Sequence, residues 1–139
     1  MHILDTDTLT HLHLGHPRVA EHIQRAADSE ICTTLITKIE ILRGRFASVL
    51  KAGSGTELIR AQTWLLRAEE LLAQIAVVPF TQAAANQFDV LRSTKKLNKI
   101  GNADLLIAST ALSIRATLVT RNVRHFEPIP GLLIVNWVD

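Results

Sequence analysis

Five short apolar runs, each strand-length and separated by helix-patterned segments, set the strongest limit on what this chain can fold into. They are Met1 to Asp5, Ile31 to Thr34, Ala76 to Phe80, Thr117 to Arg121 and Leu132 to Asn136. Runs this short and this apolar suit strands buried on both faces. Their alternation with helices predicts an α/β fold with a mainly parallel sheet between two helical layers. Helices are expected from Thr6 or Asp7 to Leu14, Arg18 to Ala27, onward from Leu35, Glu57 to Ile75, Thr81 to Lys96 and Asp104 to Ile114. Ile36, Ile39, Leu42 and Phe46 recur at helical spacing. Gly53-Ser54-Gly55 reads as a flexible connection, Asn98 to Asn102 and Asn122 to Gly131 as loops.

With 139 residues, 47% of them hydrophobic and 20% charged, the chain has the makings of one globular domain. No run approaches a membrane span, and Asp5 interrupts the start where a secretory apolar region would lie. A lone cysteine, Cys32, excludes an internal disulfide framework and fits a cytoplasmic setting; its apolar context reads as a buried strand end. The net charge of +2 does not by itself announce a nucleic-acid binder. Its distribution is more informative, since Arg92, Lys95, Lys96 and Lys99 crowd one stretch, and Arg121 follows later. Such groups suit a phosphodiester backbone, and equally a solvated helix end that complements the helix dipole.

In open parallel sheets, ligands gather beyond the carboxyl ends of the strands. Asp5 and Asn122 follow two strand runs, Asp104 opens an apolar helix, and Glu40 sits among Ile39, Ile41 and Leu42. Converging carboxylates are costly to bury unless a cation relieves them. A hard divalent ion such as Mg²⁺ or Mn²⁺ binds few carboxylates and keeps waters, one of which it can acidify into a nucleophile. Each residue also has a plainer reading: Asp5 as a helix cap, Glu40 as a surface acid paired to Lys38, Arg43 or Arg45, Asp104 as a dipole partner, Asn122 as a turn residue. The trio His11, His13 and His16 lacks a completing ligand for zinc, and solvent-facing histidines are the simpler expectation. Trp64 reads as core or as partner surface.

Taken in order, Ile3-Leu4-Asp5-Thr6-Asp7, Ile39-Glu40-Ile41-Leu42-Arg43-Gly44, Gly101-Asn102-Ala103-Asp104-Leu105-Leu106-Ile107-Ala108 and Leu118-Val119-Thr120-Arg121-Asn122 resemble the PIN domain. The VapC ribonuclease toxins of VapBC modules are the nearest likeness, and Phe126-Glu127-Pro128-Ile129-Pro130-Gly131-Leu132 with Asn136-Trp137 is similar to their ending. The resemblance implies a three-layer PIN-like sandwich with a five-stranded sheet. It also implies a Mg²⁺- or Mn²⁺-dependent endoribonuclease acting on structured RNA such as tRNA, and a homodimer silenced by a VapB-type antitoxin. Asp5, Glu40 and Asp104 match the family's metal-site acids; Thr6 and Thr120 match supporting hydroxyl residues. Asn122 stands where many PIN domains have Asp, with His125 and Glu127 close behind as substitutes, and Asp7 stands where relatives often have Asn. A PIN nuclease of RNA processing and a non-catalytic module with an acidic pocket are the alternative readings.

Overall fold

A computed structural model describes residues 1–26 and 31–139. Five parallel strands, β1 (His2–Leu4), β2 (Ile31–Thr34), β3 (Ala76–Val78), β4 (Thr117–Val119) and β5 (Leu133–Val135), form one sheet in the order β3-β2-β1-β4-β5. Alternate residues of a strand face opposite sides. Ile3 and Leu118 therefore enter one core with Leu97, Leu105, Ala108 and Phe126, while Leu4 and Val119 enter a second with Leu9, Ile41, Ala68 and Leu72. The first core is covered by α5 (Gln82–Arg92) and α6 (Asn102–Ser113), the second by α1 (Thr6–His13), α3 (Leu35–Lys51) and α4 (Gly55–Gln74). This is the expected α/β three-layer arrangement, and every strand pairing in it is parallel. Helix α2 (Pro17–Arg25) begins at Pro17, whose missing N–H costs nothing there; the expected end at Ala27 lies outside the described residues.

Several boundaries differ from the expected ones, each for a local reason. Asp5, rather than Thr6 or Asp7, caps α1 by accepting the Thr8 N–H at 2.8 Å. Strand β3 stops at Val78, because Pro79 has no N–H for the ladder. Helix α5 stops at Arg92: the Ser93 and Thr94 hydroxyls donate to the Val90 carbonyl at 2.9 Å, and a 3-10 turn over Lys95–Leu97 folds Leu97 into the core. Gly53-Ser54-Gly55 is no flexible link. Ser54 caps α4 through the Glu57 N–H, and Glu57 reaches back to the Gly53 N–H at 2.8 Å. Helix α6 opens at Asn102, with Asp104 in its first turn, and the expected loop after Asn122 contains a short helix, α7 (Val123–Phe126).

The histidine expectation also changes. His11, His13 and His16 are half-buried rather than solvent-facing: His11 bonds the Asp7 carbonyl, His13 packs on Trp64, and His16 caps α2. Cys32 is buried at its strand, the thiol turned to the His2 carbonyl. Among the described residues no helix is long and apolar enough to cross a membrane.

Candidate active site

Strand order reverses direction at β1: β2 and β3 lie to one side, β4 and β5 to the other. Connections leaving β1 and β4 therefore diverge at their carboxyl ends, the place where a crevice opens in sheets of this kind. The crevice is present. A cavity of about 650 Å³ is lined by Asp5, Thr6, Asp7, Thr10, Glu40, Asp104, Arg121, Asn122 and Phe126. Residues from α1, α3, α6 and the segment after β4 thus share one space, and the four sequence candidates Asp5, Glu40, Asp104 and Asn122 all border it.

Threonine hydroxyls hold the rim together by taking up carbonyls and carboxylates at the strand ends. Thr33 donates to the Leu4 carbonyl at 2.7 Å and Thr8 to the Val119 carbonyl at 3.1 Å, while the Asp5 N–H reaches that same Val119 oxygen. Thr6 donates to Glu40 at 2.5 Å and lies 3.1 Å from the Thr37 hydroxyl. Thr37 is in turn tied to Thr34, the residue capping α3. Thr6 was expected as a support. Thr37 and Thr34 were not, although Thr37 precedes Glu40 by one helical turn and so shares its face. The Thr120 hydroxyl bonds the Asp5 carboxyl and accepts the Asn122 N–H.

Asp5 is only 6% exposed, and burial pushes its carboxyl above the ordinary Asp range. Bonds from Thr120 and Thr8 pull the other way, and the nearby Asp7 adds to the upward push. Asp104 is held differently: the His125 ring N–H donates to its Oδ2 at 2.9 Å. His125 is thus engaged with an acid, and neither it nor Glu127 lines the cavity; Asn122 does, with its side chain unused as a cap. Among the described residues Arg121 is the one basic group in the lining, and its guanidinium turns to Asp139 at 3.2 Å. Arg92, Lys95, Lys96 and Lys99 are exposed but do not line the cavity, and Arg92 bonds Asn102 and the Ile100 carbonyl, bracing the start of α6.

The donors facing this space are carboxylate, hydroxyl and amide oxygens, which suit a hard divalent cation. Among the described residues no three acidic, histidine or cysteine side chains converge as a ready-made cage.

Residues 2–131 match the PIN domain family. The chain is also 31% identical over 142 residues to Ribonuclease VapC1 of Haemophilus influenzae (strain R2866), an overlap of 99% of this chain and 98% of that one. The chain belongs to the PIN-domain family, in its VapC branch. Within that branch it is 28% identical over 140 residues to the tRNA(fMet)-specific endonuclease VapC of Salmonella typhimurium, covering 97% of this chain and 96% of that one. Among solved structures, VapBC2 from Rickettsia felis bound to a promoter DNA fragment contains a similar chain, with TM-score 0.77, 28% identity and 98% of each chain covered. The PIN likeness thus takes in strands β1 to β4 and all the segments that border the cavity.

Proposed function

We propose that this chain is a Mg²⁺- or Mn²⁺-dependent endoribonuclease toxin of the VapC type, cutting structured RNA of the tRNA class in the cytoplasm. The observation that carries the reading is the meeting of Asp5, Glu40 and Asp104 in one oxygen-lined cleft at the reversal point of the sheet. Similarity to a ribonuclease and to a tRNA-specific endonuclease supports the activity and substrate class.

Asp5, Glu40 and Asp104 would hold the cation directly or through water, Asn122 would add a neutral amide oxygen, and Asp7 would raise the negative field at the mouth. When bound, the cation supplies an acidified water for attack on the phosphodiester and screens charge on the phosphate. The protein's own part is orientation. Thr6 fixes one Glu40 oxygen, Thr120 and Thr8 fix Asp5, and His125 fixes one oxygen of Asp104. Arg121 steadies the incoming backbone at the rim, and Arg92, Lys95, Lys96 and Lys99 add a positive flank beyond it.

A VapB-type antitoxin is the proposed inhibitor and a second copy of the chain the proposed dimer partner. Two observations support docked protein partners: the likeness to a VapBC assembly, and a row of exposed apolar side chains on α3, with Ile39 51%, Phe46 48% and Leu50 86% accessible. The test is incubation of the purified chain with total tRNA in Mn²⁺, in Mg²⁺ and in EDTA, with mapping of new 5′ ends. Discrete cuts that appear with metal and vanish with EDTA support the reading; intact RNA in Mn²⁺, or cutting unchanged by EDTA, contradicts it.

A further inference from the structure

A second constellation lies outside the cleft, where α1, α3 and α4 meet. The half-buried Trp64 of α4 has the Arg67 guanidinium 5.0 Å from its ring centroid and that of Arg45, from α3, at 5.5 Å. His13, the last residue of α1, meets the same ring edge-on at 5.2 Å. Among the described residues neither arginine makes an ion pair or a hydrogen bond, and the buried His13 Nε2 has no partner. Beside it is a depression of about 290 Å³ lined by Leu12, His13, Arg67, Glu70, Leu71 and Gln74. Among the described residues Glu70 is the one acid in that lining, and it forms no ion pair with Arg67.

Two guanidiniums without an ion-pair partner among the described residues add positive charge around the Trp64 ring. Its effect is visible on His13, whose ring is held below the ordinary histidine range by burial first and then by the charges of Arg45 and Arg67. A guanidinium stacked on an indole keeps N–H donors at its edge free for a phosphate oxygen, so an arriving anion need not break the ring contact. An aromatic ring bracketed by basic groups is the combination that tracks a single nucleic-acid strand.

Its position favours a strand already engaged in the cleft. Thr10, which lines the cleft, precedes His13 by three residues on α1, about 4.5 Å of helix rise and on the adjoining face. The geometry points to a second binding site, formed by Arg45, Arg67, Trp64 and His13, for the phosphodiester backbone of single-stranded RNA flanking the segment held in the cleft. The inference rests on the ribonuclease reading and extends it to residues that line no part of the cleft.

The test is RNA affinity in EDTA, where cleavage is blocked, using a fluorescently labelled single-stranded RNA of mixed sequence across a salt series. Arg45→Gln with Arg67→Gln weakens binding and lowers the slope of log affinity against log salt by about 0.7 per arginine, about 1.4 for the pair. Arg45→Lys with Arg67→Lys keeps the charge, and with it the slope, which separates phosphate contact from damage to the fold. Binding with an unchanged slope in the glutamine variant overturns the site while leaving the ribonuclease reading intact, provided the wild type cuts tRNA in Mn²⁺. Failure of the wild type to bind this RNA, with tRNA still cut in Mn²⁺, overturns the second site alone; failure to cut tRNA in Mn²⁺ overturns the ribonuclease reading on which it rests. Polyglutamate competing as well as unlabelled RNA assigns the surface to an acidic peptide and overturns it as an RNA site.

Discussion

His125 and Asp104, 21 positions apart in sequence, are joined by a hydrogen bond of 2.9 Å from the ring Nε2 to the carboxylate Oδ2. The ring sits on α7, the carboxylate in the first turn of α6, so this contact ties the segment after β4 to the helix that presents the acid. Both side chains are partly accessible, 28% for His125 and 41% for Asp104, so the bond matters less for stability than for aiming a carboxylate that water would otherwise let rotate. His125→Ala should lower Mn²⁺ affinity or RNA cleavage by about 10–100-fold, the usual cost of losing an outer partner of a metal ligand. Calorimetric Mn²⁺ titration of wild type and variant checks it; equal affinities and equal cleavage rates would show that His125 does not aim Asp104.

Asp5 gives a pH prediction. Its folded carboxyl titrates above its unfolded value, chiefly through burial, so the metal-free fold prefers the protonated acid. That preference contributes stability fully below the unfolded value and loses it as pH rises through the folded one. At pH 7 without metal, Asp5→Asn should therefore raise Tm, since Asn can still accept the Thr8 N–H. Each 1 kcal/mol so recovered moves Tm by roughly 3–4 °C. Thermal melts in EDTA from pH 3 to 8 should show the gain shrinking toward the acid end. A variant less stable than wild type at pH 7 would contradict the assignment of burial as the dominant influence.

The Thr6 hydroxyl links Glu40 to Thr37. Thr6→Val removes the link at nearly constant volume, and a bond to a charged group contributes about 1.5–3 kcal/mol, or roughly tenfold or more in cleavage if it sets the Glu40 pose. Thr6→Ser should restore most of the rate. Cleavage by the valine variant at the wild-type rate would demote Thr6 to scaffolding.

Phe126 forms part of the cleft lining and is itself 2% exposed, in the core beneath α6. Phe126→Ala should cost about 3–5 kcal/mol in urea unfolding. A loss below 1 kcal/mol would mean that the core around it collapses to fill the space.

Much of this was legible in the sequence because burial leaves a strong mark on short segments. Ile3-Leu4 and Leu118-Val119 could hardly be anything but central strands, and β2 matches its expected bounds, Ile31 to Thr34. The acids Asp5, Glu40 and Asp104 were visible as charges in apolar surroundings, and the structure brings them to one cleft. What stayed hidden depends on contacts between distant elements. Nothing local to Arg92 signals that its guanidinium braces Asn102, and nothing near His125 signals Asp104. His13 looked like a surface histidine because α1 gives no hint that Trp64, from a helix more than 40 positions later, will cover it.

The proposed activity requires the acids of the cleft to act through a cation. The most direct test is Mn²⁺-dependent cleavage of tRNA by wild type, Asp5→Asn and Asp104→Asn, each confirmed as folded, with Mn²⁺ affinity measured on the same samples. Both variants should lose Mn²⁺ affinity and more than about 100-fold in cleavage, beyond what an outer partner costs. Cleavage by either variant at the wild-type rate, with Mn²⁺ bound as before, would contradict it.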